Sequence, residues 1–432
     1  MIAQNDCTMK AVLVSVGSRG DAEPFCSLAR QLMADGCTVE LFLQTDLHYL
    51  APPSVNLHAI PFTQMDMYQY VASPSHGIDH PNPRVRFIGV VTDVIAELFF
   101  PSWENLLAAS MDANIIVCSS LARPLSLAIA QKLGIKTAII HLQPLMPTKR
   151  FPHYSYTEEA IKAICKTEEE ACQQSNEETY WEFEKFQFDF LKERLDDVCV
   201  KMEAPMQEFD DLRSHLKGDN ENTLIVNAFS DAVVPVAPDS GKYTANVGPL
   251  ADTYVASGWI PPSELVEFLE KCDKPPICIG YGSMPFDKVE AVSQAIDELK
   301  VDAVVVGDAF KEVKNDKIFQ IASAPYPWLL PQCAMMLSHG GAGVVNATLR
   351  AGIPAVISPL MGDQMSWARL LEVLGLGVCC GTNLSTLSKE ELVEGIEKAS
   401  DCVVKCREIG KDIAKKVPGE KVLCEKLKTY LQ

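Results

Sequence analysis

The stretch CAMMLSHGGAGVVNATLRAG, residues 333–352, joins an apolar run to a helical pattern through a turn with three glycines and a histidine. The run 333–338 has the composition of a buried strand, and the predicted helix 344–351 ends at Gly352, with Pro354 beyond it. Strand, glycine-rich turn and helix in this order form half of a β-α-β unit, which is the repeating element of parallel sheets. The stretch therefore predicts an α/β fold.

The same alternation of strand and helix runs through the chain on both sides of this unit. Predicted strands lie at 11–16, 38–44, 113–119, 136–142, 223–229, 275–284, 301–308 and 354–359. The proline-bearing segment 233–250 between the two groups has the composition of a linker. Because 432 residues exceed what one core holds, we predict two doubly wound Rossmann-like domains that face a central cleft. They span residues 1–240 and 241–432, with the last helix packing back on the first domain.

Charge and cysteine usage exclude several classes of protein. A net charge of -19 disfavours nucleic acid as a partner, because phosphate backbones are also negative. Fifteen scattered cysteines indicate reduced thiols rather than a disulfide framework. Since neither a leader segment nor a bilayer-spanning run is evident, we expect a cytoplasmic, monomeric protein.

An acidic, aromatic-rich helical insertion is predicted at residues 151–200. Its segment 157–197 holds 13 acidic and 5 basic residues. One interpretation is one or two solvated helices. The alternative is that its aromatic side chains supply an apolar wall for a hydrophobic ligand.

The turn His339–Gly343 has the features of an anion site. Gly340, Gly341 and Gly343 would let backbone amides at a helix start approach phosphate oxygens, and His339 would add a hydrogen bond. Taken alone, the glycines are equally compatible with a tight turn that binds nothing.

Further polar and aromatic residues lie next to strands of the same predicted sheet. Asp363 and Gln364 come after the next strand, where a carboxylate and a carboxamide would hold sugar hydroxyls. Trp328 would stack on a base, although a lone Trp is usually core. Gly282 and Ser283 would face the same diphosphate, or form a plain turn. Phosphate and sugar sites on one edge indicate a nucleotide-sugar ligand.

Seven motifs occur in the order found in UDP-dependent glycosyltransferases of the GT-B fold. These are GSRGDAEPF (17–25), QPLMPT (143–148), VGPL (247–250), GYGSMP (280–285), PYPWLLPQ (325–332), HGGAG (339–343) and GDQ (362–364). The chain most resembles the group of sterol glucosyltransferases and antibiotic-aglycone glucosyltransferases. The resemblance implies an amino-terminal acceptor-binding domain and a carboxyl-terminal UDP-sugar-binding domain.

The resemblance also implies site residues. By this resemblance the turn holds the diphosphate, Trp328 flanks uracil, and Asp363 with Gln364 holds the sugar. The donor site would comprise Ser18, Arg19, Gly20, Gly282, Ser283, Trp328, Leu329, Gln332, His339, Gly340, Gly341, Ala342, Gly343, Val344, Asp363 and Gln364. The acceptor candidates are His141, Gln143 and Met361.

Asp21 corresponds to the general base of the related enzymes. From position alone, a helix N-cap is the favoured interpretation of Asp21, and one role does not exclude the other.

These observations lead to one main hypothesis about function. We expect an inverting, metal-independent transferase that moves a sugar, glucose in the first place, from a UDP-sugar to a hydroxyl of a small apolar acceptor. A sterol, a polyketide or a phenol such as a flavonoid would fit, and a lipophilic acceptor would bring transient contact with a membrane surface. We expect no cofactor besides the UDP-sugar co-substrate and no metal, since no DxD motif lies in a strand-end loop.

Two other functions remain open. One is a nucleotide-sugar epimerase of the same fold, and the other is a catalytically weak relative that binds a UDP-sugar. The second is suggested by Val344 and Val345, which stand where relatives carry Thr or Ser after HGGAG.

Overall fold

The computed structural model describes residues 9–72, 83–250, 253, 255, 258–282, 286–307, 310, 315–381 and 383–432. Within these residues the strands form two parallel sheets, one of seven strands and one of six. Helices connect most successive strands in both halves of the chain. The predicted α/β class with two doubly wound domains is confirmed.

The first sheet has the order β3-β2-β1-β4-β5-β6-β7. Its strands are β1 (Lys10–Val14), β2 (Thr38–Gln44), β3 (Asn56–Ile60), β4 (Ile115–Ser119), β5 (Lys136–His141), β6 (Thr223–Asn227) and β7 (Thr244–Asn246). Side chains of β1 alternate between two apolar cores, with Val12 and Val14 in one and Ala11 and Leu13 in the other. This alternation follows from the two-residue period of a strand and shows that both faces are covered.

Helices of the first half cover this sheet. They are α1 (Arg19–Ala34), α2 (Gln64–Ala72), α3 (Pro83–Val94), α4 (Trp103–Ser110), α5 (Arg123–Leu133), α6 (Thr157–Ile164), α7 (Glu168–Ala171), α8 (Gln174–Met202) and α9 (Phe209–Lys217).

The insertion is held to the protein by part of its aromatic set. Tyr180 and Phe188, both on α8, are buried in two different cores. Glu184 lies between them in sequence and forms a buried bidentate ion pair with Arg123 of α5, at 2.6 and 3.0 Å. Because breaking such a buried pair costs about 3–5 kcal/mol, α8 is firmly anchored rather than merely solvated.

The second sheet has the order β10-β9-β8-β11-β12-β13. Its strands are β8 (Ile277–Gly280), β9 (Ala303–Val306), β10 (Ile318–Ile321), β11 (Met335–Ser338), β12 (Ala355–Ile357) and β13 (Gly377–Cys379). The helices are α10 (Ser263–Lys271), α11 (Val289–Leu299), α12 (Tyr326–Leu329), α13 (Ala342–Ala351), α14 (Gln364–Val373), α15 (Lys389–Ala399), α16 (Val403–Ala414) and α17 (Gly419–Leu431).

The chain passes between the domains twice. Because β7 pairs with β6, the first sheet continues to Asn246, a few residues beyond the predicted boundary at 240. After α16 the chain returns, and α17 packs on α1 of the first domain. Leu423 and Leu427 of α17 are buried in a first-domain core, and Lys428 pairs with Asp35 at 2.5 Å.

One helix start in the second domain differs from the predicted one. Helix α13 begins at Ala342 rather than at Val344, so its first two residues belong to the HGGAG motif that was expected to be a turn. Helix α14 begins at Gln364, the last residue of the GDQ motif. Among the described residues, no helix has both the length and the apolar composition needed to cross a bilayer.

Candidate active site

A cleft of about 1200 Å³ separates the two domains. The first domain lines it with residues that follow β1, β4 and β5, and the second domain with residues that follow β8, β11 and β12. In parallel α/β sheets the carboxyl ends of the strands are where ligands bind. The cleft thus has a ligand-binding edge on each wall.

The HGGAG turn lies on the second-domain wall and brings the start of α13 to the cleft. Gly340 has a positive φ of 86°, and a Cβ there would overlap Ile357. Gly341 is the N-cap of α13, and a Cβ on it would come within 2.8 Å of His339 Nε2. Neither position tolerates a side chain as the turn is folded. The cleft-lining residues Ala342, Gly343 and Val344 form the first turn, whose amides have no intrahelical acceptor.

His339 lies between this turn and Gly282. Its ring is 3.3 Å from the place where a Cβ of Gly282 would stand, and its Nδ1 atom is buried without a hydrogen-bond partner among the described residues. Burial lowers the pKa of His339 to about 4, so the imidazole is neutral at physiological pH. A neutral ring with one unsatisfied nitrogen is suited to a hydrogen bond with a bound ligand.

Asp363 and Gln364 lie at the start of α14. Burial raises the pKa of Asp363 to about 6, in part offset by the indole N–H of Trp367, which donates to Oδ2 at 2.7 Å. The Gln364 Oε1 atom accepts from the amides of Leu360 and Met361, at 2.7 and 3.0 Å. Gln364 thus holds its own loop with Oε1, and only its Nε2 group remains for a ligand.

Asp21 lies on the opposite wall, in the first turn of α1. Its Oδ2 accepts from the Ser18 amide at 2.7 Å and from the Ser18 hydroxyl at 3.0 Å. Ser18 is therefore the N-cap, and Asp21 is the third helical residue of a capping box rather than the cap itself. Burial raises the pKa of Asp21 in spite of these bonds, and a raised pKa suits a carboxylate that must accept a proton.

The neighbours of Asp21 share this wall. Ser18, Arg19 and Gly20 all line the cleft. The Arg19 guanidinium pairs with Glu23 at 2.6 Å and remains partly exposed. These three residues come from the first domain, so a donor bound on the second domain would reach them only by spanning the cleft.

The PYPWLLPQ motif does not contribute all the predicted contacts. Trp328, Leu329 and Gln332 are absent from the described cleft lining, whereas Tyr326 and Trp259 belong to it. Leu329 is fully buried, and Gln332 donates to the Trp328 carbonyl at 3.0 Å. Trp328 packs edge-on against Trp259, with ring centroids 5.1 Å apart. Trp259 is consequently the indole that reaches the cleft, and Trp328 supports it from behind.

Of the three acceptor candidates, two line the cleft and one does not. Gln143 and Met361 line the cleft, but His141 is 1% exposed and does not. Burial and the charge of Arg123 lower the pKa of His141 to about 3, and its Nδ1 lies 3.0 Å from Ser120 Oγ. Ser120, which does line the cleft, is the residue that His141 supports. Ser283, a predicted donor contact, lies outside the described residues.

Some cleft residues carry no motif of their own. Tyr154 and Phe183 come from the segment 151–200, and Phe183 stacks on His153 with centroids 4.2 Å apart. Phe183 fits the interpretation of the insertion as an apolar wall. The aromatic density of the insertion was the only sequence signal for these contacts, and no signal distinguished Trp259.

Comparisons with known proteins agree with this architecture. Residues 298–410 match the family model of the C-terminal domain of erythromycin biosynthesis protein CIII-like proteins. A sterol 3-beta-glucosyltransferase of Arabidopsis thaliana is 25% identical over 85% of this chain and 59% of its own length. A sterol 3-beta-glucosyltransferase of Komagataella phaffii is 26% identical over 94% of this chain and 33% of its own. The chain thus spans between about a third and three fifths of these relatives.

Solved structures show the same fold. The glycosyltransferase SsfS6 of Streptomyces sp. SF2575, complexed with thymidine diphosphate, superposes with a TM-score of 0.64 at 15% identity. The match covers 98% of this chain and 99% of that one. The fold is therefore GT-B. In sequence the chain is similar to sterol 3-beta-glucosyltransferases and, over residues 298–410, to the C-terminal domain of erythromycin biosynthesis protein CIII-like proteins.

Proposed function

We propose that this chain is an inverting, metal-independent glycosyltransferase that moves glucose from UDP-glucose to a hydroxyl group of a small apolar acceptor. A sterol, a polyketide or a phenol would fit the acceptor side. The sterol 3-beta-glucosyltransferases to which the chain is similar support the choice of glucose and of a sterol-like acceptor.

The observation that carries the proposal is the placement of Asp21 opposite the start of α13. Both line one cleft from different domains. The two Ser18 hydrogen bonds end on Oδ2, so Oδ1 is the oxygen available to a proton from the cleft. A base on one wall and an anion site on the other are what direct transfer between two bound substrates requires.

On the donor wall, the departing diphosphate would be stabilised by the chain itself. The first-turn amides of α13 carry partial positive charge, and His339 offers one more hydrogen bond. These groups act where negative charge develops on the leaving group. We therefore assign the stabilisation of UDP to the protein rather than to a divalent cation.

On the acceptor wall, the first domain presents mainly apolar side chains. Val94, Ile95, Leu121, Leu142 and Phe183 line the cleft on this side. Such a lining favours an acceptor with a large apolar body.

The proposed reaction is a single displacement. Asp21 accepts the proton of the acceptor hydroxyl while its oxygen attacks the anomeric carbon, and the bond to the UDP oxygen breaks. Because the nucleophile and the leaving group occupy opposite faces of the sugar, the configuration at the anomeric carbon inverts.

The test is to incubate the protein with UDP-glucose and a panel of sterols, polyketides and phenols, and to follow UDP release. We expect release that depends on the acceptor, persists in EDTA and gives a β-glucoside by NMR. An α-glucoside would contradict the inverting mechanism, and loss of activity in EDTA would contradict metal independence.

The two other candidates give different results in the same assay. An epimerase would change the donor in the absence of any acceptor. A relative that binds without turnover would bind UDP and release none from UDP-glucose. Val344, which offers no hydroxyl at the anion site, is the feature that favours this last candidate.

A further inference from the structure

A second cavity, of about 440 Å³, lies where the chain passes between the domains. Its walls come from 144–151 and 227–237 of the first domain, from the linker 246–249, and from 413–422 where the chain returns. Among the described residues, none lines both this junction cavity and the cleft. Its volume is within the range of small-molecule sites, so it is a separate candidate site.

The walls of the junction cavity are largely apolar. Met146, Phe229, Val247, Ile413 and Val422 contribute to them. Apolar side chains from four separate segments would surround an apolar body on several sides. Burying such a body gains about 25 cal/mol for each Å² removed from water.

One polar group inside the cavity is unsatisfied. Asn227, at the end of β6, is 5% exposed, and its Nδ2 group donates to Asn246 Oδ1 at 3.0 Å. Its Oδ1 atom is buried and has no partner among the described residues. An unpaired buried acceptor costs about 1–3 kcal/mol, which an N–H or O–H donor on a ligand would relieve.

Positive charge gathers at the solvent side of the cavity. Lys415, Lys416 and Arg350 line it, and Asp231 is the one acidic residue among its described lining residues. Lys415 pairs with Asp412 at 2.9 Å and Lys416 pairs with Asp231 across the two domains, but both lysines remain substantially exposed. Exposed ion pairs contribute only about 0–1 kcal/mol, so both lysines can exchange these partners for an anionic group of a ligand. A lining with three cations and one carboxylate favours such a group.

We propose that the junction cavity binds a small amphipathic anion. The ligand has an apolar body, an N–H or O–H donor that reaches Asn227, and a sulfonate or carboxylate that lies near Lys415 and Lys416. Gly419 packs so closely on the carbonyls of Gly248 and Pro249 that a Cβ there would overlap them. The ligand would therefore contact both segments that connect the domains, the linker 246–249 and the returning segment 413–422, where they touch each other.

A suitable probe is 1-anilinonaphthalene-8-sulfonate, which combines an anilino N–H, an aromatic body and a sulfonate, and which fluoresces when it leaves water. The blocking variant is Val417→Trp, since Val417 lines the cavity and is 60% exposed, so that the new ring need not enter the core. The matched control is Val404→Trp, since Val404 is 70% exposed and does not line the cavity.

We expect Val417→Trp to weaken binding of the probe by at least about tenfold and Val404→Trp to change it by less than about twofold. Asn227→Leu should weaken binding as well, and saturating UDP should not displace the probe. Equal affinities for the wild type and Val417→Trp would overturn the proposal, as would displacement by UDP, which would place the probe in the cleft.

If Val417→Trp does not fold by circular dichroism, Val236→Trp serves instead, because Val236 is half exposed and also lines the cavity. The readout is binding alone. The result therefore tests the junction cavity independently of any glycosyltransferase activity.

Discussion

Asp21 of the first domain and Asp363 of the second lie on facing walls of the cleft, close enough for the negative charge of Asp21 to raise the pKa of Asp363. Burial makes the larger contribution, and together they bring this pKa to about 6. When two neighbouring carboxylates disfavour each other's negative charge, their pKa values move apart, and each can take a different role in a reaction. We assign proton acceptance to Asp21 and the holding of sugar hydroxyls to Asp363.

Replacing Asp21 by Asn should greatly slow transfer and leave the fold intact. The carboxamide oxygen of the Asp21→Asn variant would still accept from the Ser18 amide, but it would not take a proton, and general-base catalysis contributes about 10²–10⁴ in rate. We expect kcat to fall by this factor and the dissociation constant of UDP to change by less than about twofold.

Asp66→Asn is the matched control for that variant, because Asp66 accepts from Thr63 in the same capping arrangement, at 2.8 Å, but does not line the cleft. Asp66→Asn should keep near wild-type activity. A near wild-type rate for Asp21→Asn would remove Asp21 as the base.

The affinity for UDP-glucose should depend on pH through Asp363. Its raised pKa means that the carboxylate, which accepts hydrogen bonds from sugar hydroxyls, is present above about pH 6 and is lost as the pH falls below it. We expect KM for UDP-glucose to rise as the pH is lowered from about 7 to about 5, and Asp363→Asn to remove this dependence. UDP, which lacks the sugar, is the control ligand. The same dependence for UDP would argue against a sugar contact.

His339→Ala should weaken UDP binding. The variant would remove a hydrogen bond at the proposed diphosphate site, and a loss of about 1.4 kcal/mol corresponds to a tenfold higher dissociation constant by calorimetry. His48→Ala is the control, because His48 bonds the Leu43 carbonyl at 3.2 Å and does not line the cleft. Unchanged affinity in His339→Ala would show that the ring has another role.

Val344→Thr should strengthen UDP binding. Val344 is partly exposed to the cleft in the first turn of α13, so a hydroxyl there would reach a phosphate and contribute about 1.5–3 kcal/mol. We expect the dissociation constant to fall by at least about tenfold. In contrast, Val345 is buried in a core, so Val345→Thr should lower the melting temperature without tighter binding. Unaltered affinity in Val344→Thr would mean that the phosphates lie elsewhere.

The central strands could be predicted from the sequence because continuous apolar runs mark strands that are covered on both faces. The missed strands β3, β7, β10 and β13 are short or lie towards a sheet edge, where no apolar run is needed. The start of α13 was placed two residues late because Ala342 and Gly343 look like part of a turn. The backbone conformation shows that the helix already begins there, with Gly341 as its N-cap.

Site residues could be predicted where a sequence motif at a strand end determines that the side chain faces the cleft. His339, Asp363 and Asp21 are fixed by turns at strand ends, and all three line the cleft. His141 was misjudged because strand neighbours point to opposite faces, so Ile140 and Leu142 reach the cleft while His141 does not. The sequence could not show that Trp259, rather than Trp328, lines the cleft. A long stretch of chain separates the two rings, which come into contact only in the folded domain.

Because of helix α17, the first domain can complete its folding only after the second domain has been synthesised. Leu423 and Leu427 complete a core whose other members begin at Met9. The first domain therefore cannot close that core when its own sheet has been synthesised, and its apolar surface beside α1 stays open while the second domain emerges. During this interval we expect the surface to be available to chaperones, and we expect a chain that ends before residue 423 to be prone to aggregate.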